Sequence, residues 1–436
     1  GSEMCIRDSP CGAPLQGEMT PPGDKSISHR SLIFGCLASG ETRVDGLLES
    51  EDVNATARAC RQLGMQMRSE GKTLVLTGVG EGGLSAPVAD LDMGNSGTAM
   101  RLLAGVLAAQ PFDSTLVGDE SLSQRPMNRI VAPLKMMGAN IDTEEGGRPP
   151  LRIQGVPGLQ GIEYDSPVAS AQVKSCLMLA GLYANGTTRV REPLKSRDHT
   201  EKMLPAFGVS LVGECEVAGG SRLTGTQLRV PADISSAAFF LIAAALVPGS
   251  DLHINNVGLN ETRDGIVHVL QAMGADLSIL NPRESGGEKV ADLHIRYAGR
   301  LKGAVIPEEI VPSLIDELPV ILALAATCEG TTSVRGAAEL RVKESDRLAV
   351  MARGLEILGV ELEEFEDGMD VHGGPIGSGQ VDGAGDHRCA MSFLVLGQAA
   401  SGPVLVDGCH NIDTSYPAFT DDLSRLGGSV AVASAP

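Results

Sequence analysis

Residues 24–67 read DKSISHRSLIFGCLASGETRVDGLLESEDVNATARACRQLGMQM, and this phrase decides the fold. A polar head (Asp24, Lys25, Ser26) opens an apolar helical stretch. A turn at Gly40, a short Thr/Val strand, a polar connection and a second helix closing on Gly64 follow. The phrase recurs from GNSGTAMRLLAGVLAA, SPVASAQVKSCLMLAGLYANGTTRV, ADISSAAFFLIAAALVPGSDLHI, LIDELPVILALAATCEGTTSV and GDHRCAMSFLVLGQAASGPVLV. Its closing glycines are Gly64, Gly138, Gly208, Gly274, Gly359 and Gly427, spaced by 74, 70, 66, 85 and 68 residues. The long interval absorbs an insertion at 281–289. Such a period marks an internal repeat. One unit alternating helix and strand cannot bury its own apolar faces, so six copies pack most simply as two α/β domains of three.

The expected boundaries place repeats 1–3 in a domain spanning 22–230, and 10–21 plus 231–436 in the other. The chain crosses near 230–232, and a first strand within 12–20 returns to the second domain. Residues 1–9 look unlike the rest and are expected to be a non-native or disordered leader.

Composition limits what such a molecule can do. At 436 residues with 42% hydrophobic and 21% charged residues, the chain supports two or three cored domains rather than disorder. Aromatic residues make up 3%, Trp is absent and Gly reaches 54, so the core is aliphatic and packed with small side chains. The net charge of −20 argues against sequence-independent nucleic-acid binding and against an anionic membrane surface. An anionic ligand must instead be held by a local cationic pocket. The apolar runs at 237–247 and 319–328 are shorter than the roughly 20 residues a membrane span needs, and no signal or transit peptide is legible. Nine scattered cysteines without a CxxC pair read as reduced thiols of a cytoplasmic protein, giving no metal site or disulfide framework.

Two motif matches fail on context. Residues 78–83 (GVGEGG) fit G-x-G-x-x-G, but LSAP follows where a dinucleotide fold needs a helix. The glycines before Asp24-Lys25-Ser26 miss the P-loop spacing, and the eight His show no HExxH pair.

Other segments carry chemistry. The heads of the first helices (Asp24-Lys25-Ser26, 95–98, Ser170-Ala171-Gln172, Asp233, Asp316, His387-Arg388) offer unpaired N–H groups and a partial positive charge suited to anions. In PPGDKSISHR, Lys25 begins a helix with Arg30 further along, and Ser26 and Ser28 can cap or bind an oxyanion. In RVKESDRL, helical spacing sets Lys343, Glu344 and Arg347 on adjacent faces. Arg125 and Arg388 lie beside turns or helix starts, and Asp316 heads a strongly apolar helix as an N-cap or a working group.

Taken in order, GDKSISHR, GNSGTAMRLL, SQRPM, SAQVKS, IDE, RVKESDRL and GDHRCAMSF resemble the EPSP synthase (3-phosphoshikimate 1-carboxyvinyltransferase) family from about residue 14 to 428. RDHTEKM, SAQVK and NETR resemble its class II branch. The other branch carries Asn, Lys and Ser where this chain has Glu339, Thr414 and Ala171. Asn95-Ser96-Gly97-Thr98 resembles the glycine-containing version of its loop. The resemblance implies two inverse α/β domains of three βαβαββ units each. It implies transfer of the enolpyruvyl group of phosphoenolpyruvate to the 5-hydroxyl of shikimate 3-phosphate, with no metal or organic cofactor. Ser26, Arg30, Ser170, Gln172, Arg197, Asp316 and Lys343 would hold shikimate 3-phosphate. Gly97, Arg125, Gln172, Arg347 and Arg388 would hold phosphoenolpyruvate, with Lys25 touching both. Asp316 would deprotonate the hydroxyl, while Glu344 and Lys25 move protons at the enolpyruvyl carbon.

Two rival readings fit the residues less well. The sister enzyme acting on UDP-N-acetylglucosamine typically pairs Lys with Asn in the first motif and uses a mobile-loop Cys. Here the pair is Lys25-Ser26, and no Cys lies between Cys60 and Cys176. A clamp-like ring of six repeats would line a bore with scattered Lys and Arg rather than place them at helix heads. The expected protein is a cytoplasmic monomer that takes small-molecule substrates, is inhibited by glyphosate, and binds neither nucleic acid nor membrane.

Overall fold

The computed structural model describes residues 7–9, 12–80 and 82–432. It is an α/β chain in two compact units, one of Gly23–Pro231 with Ser285–Glu288, the other of Gly1–Pro22, Ala232–Glu284 and Lys289–Pro436. Each unit contains three small sheets and three buried first helices, one pair per repeat.

The sheets share one pattern. In the first unit Glu41–Asp45 pairs in parallel with Gln227–Arg229 and antiparallel with Thr73–Thr77, which pairs antiparallel with Gln66–Glu70. Leu91–Asp92, Ser114–Val117, Arg148–Gln154 and Asn140–Glu144 repeat that order. A three-stranded version is built from Glu163–Asp165, Thr187–Arg191 and Glu216–Ala218. The parallel edge strand Gln227–Arg229 follows the third repeat yet completes the sheet of the first. The first repeat is therefore not a closed folding unit.

In the second unit Gln16–Met19 joins Asp251–Gly258 in parallel, beside Glu288–Arg296 and Asp276–Ser285. Gly379–Asp382 pairs in parallel with Val404–Asp407, and Thr331–Val334, Gly368–His372 and Glu361–Phe365 form the third sheet. Arg7–Ser9, within the stretch expected to be a leader, pairs antiparallel with Val404, Leu405 and Val406. Residues 1–6 of that stretch lie outside the described residues.

The first helices are Lys25–Leu37, Gly97–Leu107, Ala171–Gly181, Ile234–Leu246, Leu318–Ala325 and His387–Gly397. They are apolar around most of their circumference because they are buried around most of it. Small residues let them approach closely: a Cβ on Gly105 would lie 2.2 Å from the Cys176 carbonyl oxygen of the neighbouring helix.

The second helices (Glu51–Gln62, Asn128–Met136, His199–Ala206, Gly265–Ala272, Arg347–Ile357, Phe419–Arg425) end alike. Each closing glycine has φ between +83° and +113°. The next residue donates its N–H back into the helix: Met65 to Cys60, Ala139 to Leu134, Val209 to Leu204, Ala275 to Leu270, Val360 to Leu355 and Gly428 to Leu423, at 2.9–3.1 Å. These are Schellman caps, in which glycine adopts the left-handed backbone without a Cβ penalty.

Candidate active site

In the first unit, Asp24 caps the helix Lys25–Leu37, accepting from the Ile27 N–H at 2.8 Å. This fixes Lys25 at the helix head, where Nζ stands 2.5 Å from Asp52. Ser26 is half-buried, whereas the Ser28 hydroxyl accepts from the Leu48 N–H at 3.0 Å and is occupied structurally. Arg30 is 2% exposed. Its Nε donates to Thr200 at 2.8 Å, Nη2 to Ser175 at 2.7 Å and Nη1 to the Ser26 carbonyl at 3.0 Å. Burial lowers its pKa to about 10, although Glu201 and Asp24 act in the opposite direction. Arg197 is half-buried and adds positive potential at Arg30.

The second and third repeats meet through Arg101. Ser96 caps Gly97–Leu107, and Ser170 caps Ala171–Gly181. Arg101 donates to Gln172 Oε1 at 2.7 Å and to the Gly97 carbonyl at 3.4 Å, while Gln172 donates to Thr98 at 2.9 Å. Arg125 donates to the Asn95 side chain at 2.6 Å and its carbonyl at 3.1 Å, close beside Gly97. An Ala171 hydroxyl is missing by sequence, but the Ser170 cap is intact.

Behind these groups lies a buried ionic triad. Lys174 Nζ is 2.9 Å from Glu192 and 2.7 Å from Glu201, with exposures of 1%, 6% and 8%. Burial alone would lower the Lys174 pKa, but the two carboxylates outweigh it and raise it. Glu192 also accepts from the Ser170 N–H at 2.7 Å, and Glu201 lies on the helix that presents Thr200 to Arg30.

In the second unit Arg347 is 1% exposed and meets three carboxylates. Nε lies 2.8 Å from Asp386, Nη1 3.2 Å from Asp316 and Nη2 2.5 Å from Glu344. Burial opposes the charge, yet Asp386, Glu344 and Asp316 raise the Arg347 pKa well above its ordinary value. Arg388 donates to the Asp316 carbonyl at 3.3 Å and approaches its carboxylate at 3.9 Å. Asp386, rather than His387 or Arg388, caps the helix His387–Gly397.

Two local expectations are corrected. Asp316 is not an N-cap: it sits in the turn before Leu318–Ala325, whose cap position is Glu317, and its carboxylate faces Arg347. RVKESDRL is not one helix. A 3-10 turn, Ala338–Val342, ends at Lys343 with ψ −147°, and the helix begins at Arg347 because Asp346 caps it. Lys343 consequently lies 3.8 Å from Glu339 rather than over Arg347, while Glu344 does meet Arg347. Thr414, another departure, is buried and donates to the Asn411 carbonyl at 2.6 Å.

The structure thus links Gly97 with Arg125, Gln172 with the Gly97 helix through Arg101, Arg30 with Ser26, and Asp316 with Glu344, Arg347 and Arg388. Arg101, Lys174, Thr200 and Asp386 were missed, although each lies inside a quoted motif. Their partners are distant in sequence, so only the charge of a residue inside an apolar helix could have flagged Lys174. Residues 84–90 form no helix, consistent with a loop after 78–83.

Repeated sheets with cationic groups at buried helix heads define an α/β protein built for anionic ligands. The model of the family "EPSP synthase (3-phosphoshikimate 1-carboxyvinyltransferase)" matches residues 11–423. The 3-phosphoshikimate 1-carboxyvinyltransferase of Xanthomonas campestris pv. campestris (strain B100) is 53% identical over 421 residues, covering 96% of each chain. That of Xylella fastidiosa (strain Temecula1) is 52% identical, covering 96% of this chain and 92% of its own. A solved EPSP synthase from Acinetobacter baumannii is 47% identical with a TM-score of 0.88, covering 99% of this chain and 100% of the other. The chain belongs to the EPSP synthase family.

Proposed function

We propose that this chain transfers the enolpyruvyl group of phosphoenolpyruvate to the 5-hydroxyl of shikimate 3-phosphate, releasing phosphate, on the shikimate route to chorismate and aromatic amino acids. The observation that carries this reading is a family match over residues 11–423 that takes in every one of the charged helix heads. The sister enolpyruvyl transferase and the clamp-like ring have no comparable support.

Both substrates are polyanions. Two unit charges 4 Å apart at an effective dielectric near 20 repel by roughly 4 kcal/mol, so cations must be in place beforehand. We assign shikimate 3-phosphate to Ser26, Arg30, Ser170, Gln172, Arg197, Lys343 and Asp316. Phosphoenolpyruvate falls to the Gly97 backbone, Arg125, Gln172, Arg347 and Arg388, with Lys25 serving both. Three of the five Arg30 N–H donors are held by Thr200, Ser175 and Ser26. Arg30 therefore acts on the phosphate mainly as a fixed charge with two donors left.

Asp316 takes the hydroxyl proton as that oxygen bonds to C2 of phosphoenolpyruvate, and Glu344 or Lys25 delivers a proton to C3. The tetrahedral intermediate then loses a C3 proton and expels phosphate. Glyphosate inhibition, a monomeric state and a cytoplasmic location belong to the same reading. The last is supported by seven described cysteines that are all free thiols, as a reducing compartment keeps them. Among the described residues no helix is long and apolar enough to cross a membrane.

The test is phosphate release by purified protein given each substrate alone and both together. Release only with both is expected. Release from phosphoenolpyruvate alone, or none with both, overturns the reading.

A further inference from the structure

We propose that Asp251, His253 and His294 form a binding site for a divalent transition cation of the Zn²⁺ class, separate from the groups assigned to the substrates. The strands Asp251–Gly258 and Glu288–Arg296 run antiparallel with His253 directly opposite His294. Strand alternation puts Asp251, His253 and His294 on one sheet face. The intervening Leu252, Ile254, Leu293 and Ile295 are fully buried on the other, so the backbone beneath the three groups is fixed by the core.

One potential ligand atom from each residue lies within 4.8 Å of the other two. His294 Nε2 is 2.7 Å from Asp251 Oδ1, and the two imidazoles stack with centroids 3.9 Å apart and planes 8° from parallel. No described residue hydrogen-bonds to the His253 ring, so its nitrogens are free to ligate.

Two imidazoles and one carboxylate make a three-ligand set that leaves a position for water, a composition that suits Zn²⁺. Glu18 is the register partner of His253 on the next strand and adds a carboxylate to the same row. Arg296, the register partner of Asp251, is drawn to Asp276 at 2.8 Å. Ligation requires the rings to tilt from parallel toward a common point. The metal would then clamp two strands together.

Tag-free protein stripped with chelator is dialysed against Zn²⁺, and bound metal is counted by mass spectrometry. About one saturable Zn²⁺ per chain is expected, with His253→Gln and His294→Gln each weakening binding by about tenfold or more. Circular dichroism confirms that the variants are folded. Co²⁺ should give a d–d absorption band in the wild type that His253→Gln abolishes, and Zn²⁺ should raise Tm in the wild type alone. No saturable uptake, or uptake indifferent to both histidine substitutions, overturns the proposal.

Discussion

Arg347 Nη1 donates to Asp316 Oδ1 at 3.2 Å, joining a proposed phosphoenolpyruvate contact to the proposed base. The same guanidinium holds Glu344, the proposed proton donor, while the fully buried Asp386 anchors its far side. A single cation thus holds both proposed acid–base groups. Three carboxylates surround this one cation, and Arg388 also approaches Asp316.

Asp316→Asn keeps an oxygen that can accept from Arg347 but removes the basic group. Turnover should fall about 10²-fold or more with substrate affinity nearly unchanged, and Glu344→Gln should behave alike. Steady-state kinetics with ligand titration measures both quantities. Unchanged turnover in either variant would demote that residue to a structural ion pair.

Lys174→Met should destabilise the protein by about 3–5 kcal/mol, because Glu192 and Glu201 are left buried without their cation. Since the Lys174 pKa is raised in the folded state, its contribution is complete below about pH 10.4 and is lost as pH rises through the folded value. Urea unfolding across that range, compared between wild type and variant, reports both effects. Slackening of Glu192 should also raise the KM for shikimate 3-phosphate through Ser170.

His29 provides the acid counterpart. Burial first, then Lys25 and Arg30, push its pKa well below 6.5. The unfolded chain takes up the proton first, so stability is retained above that pH and falls at about 1.4 kcal/mol per unit below it. His29 Nδ1 lies 2.8 Å from the Thr56 hydroxyl. A His29→Gln variant should therefore show a shallower loss between pH 6.5 and 5.0 (the range chosen for unfolding experiments). Equal slopes would remove His29 from the account.

Gly97→Ala addresses glyphosate. A Cβ there would lie 2.7 Å from Arg101 Nη1 and 3.4 Å from Arg125 Nη1. The methyl must displace the Arg101 end, which is tethered to Gln172, one of the proposed phosphoenolpyruvate groups, while it only touches Arg125. Overpacking of about 1–3 kcal/mol corresponds to roughly one to two decades in affinity. The glyphosate inhibition constant should rise by about that amount, and more than the KM for phosphoenolpyruvate. Competitive inhibition assays on both proteins decide, and equal inhibition constants would sink the steric argument.

What the sequence determined by itself was local or repeated. Gly64 and its five counterparts announce helix ends because a left-handed cap involves only residues within one turn. Asp24, Ser96, Ser170 and Asp233 cap their helices through bonds two or three residues away. The six-fold phrase then made packing of the copies unavoidable, since none buries its own apolar face. Tertiary structure decided the pairings that span the chain. Lys174 finds Glu192 and Glu201, Arg347 finds Asp316 and Asp386, and His253 finds His294 only after strands and helices from distant segments are docked. It also decided that RVKESDRL breaks at Lys343, where helical spacing had put one continuous face. Periodicity counts residues along one element, whereas the desolvation that gives these charges their strength exists only once neighbouring elements exclude water.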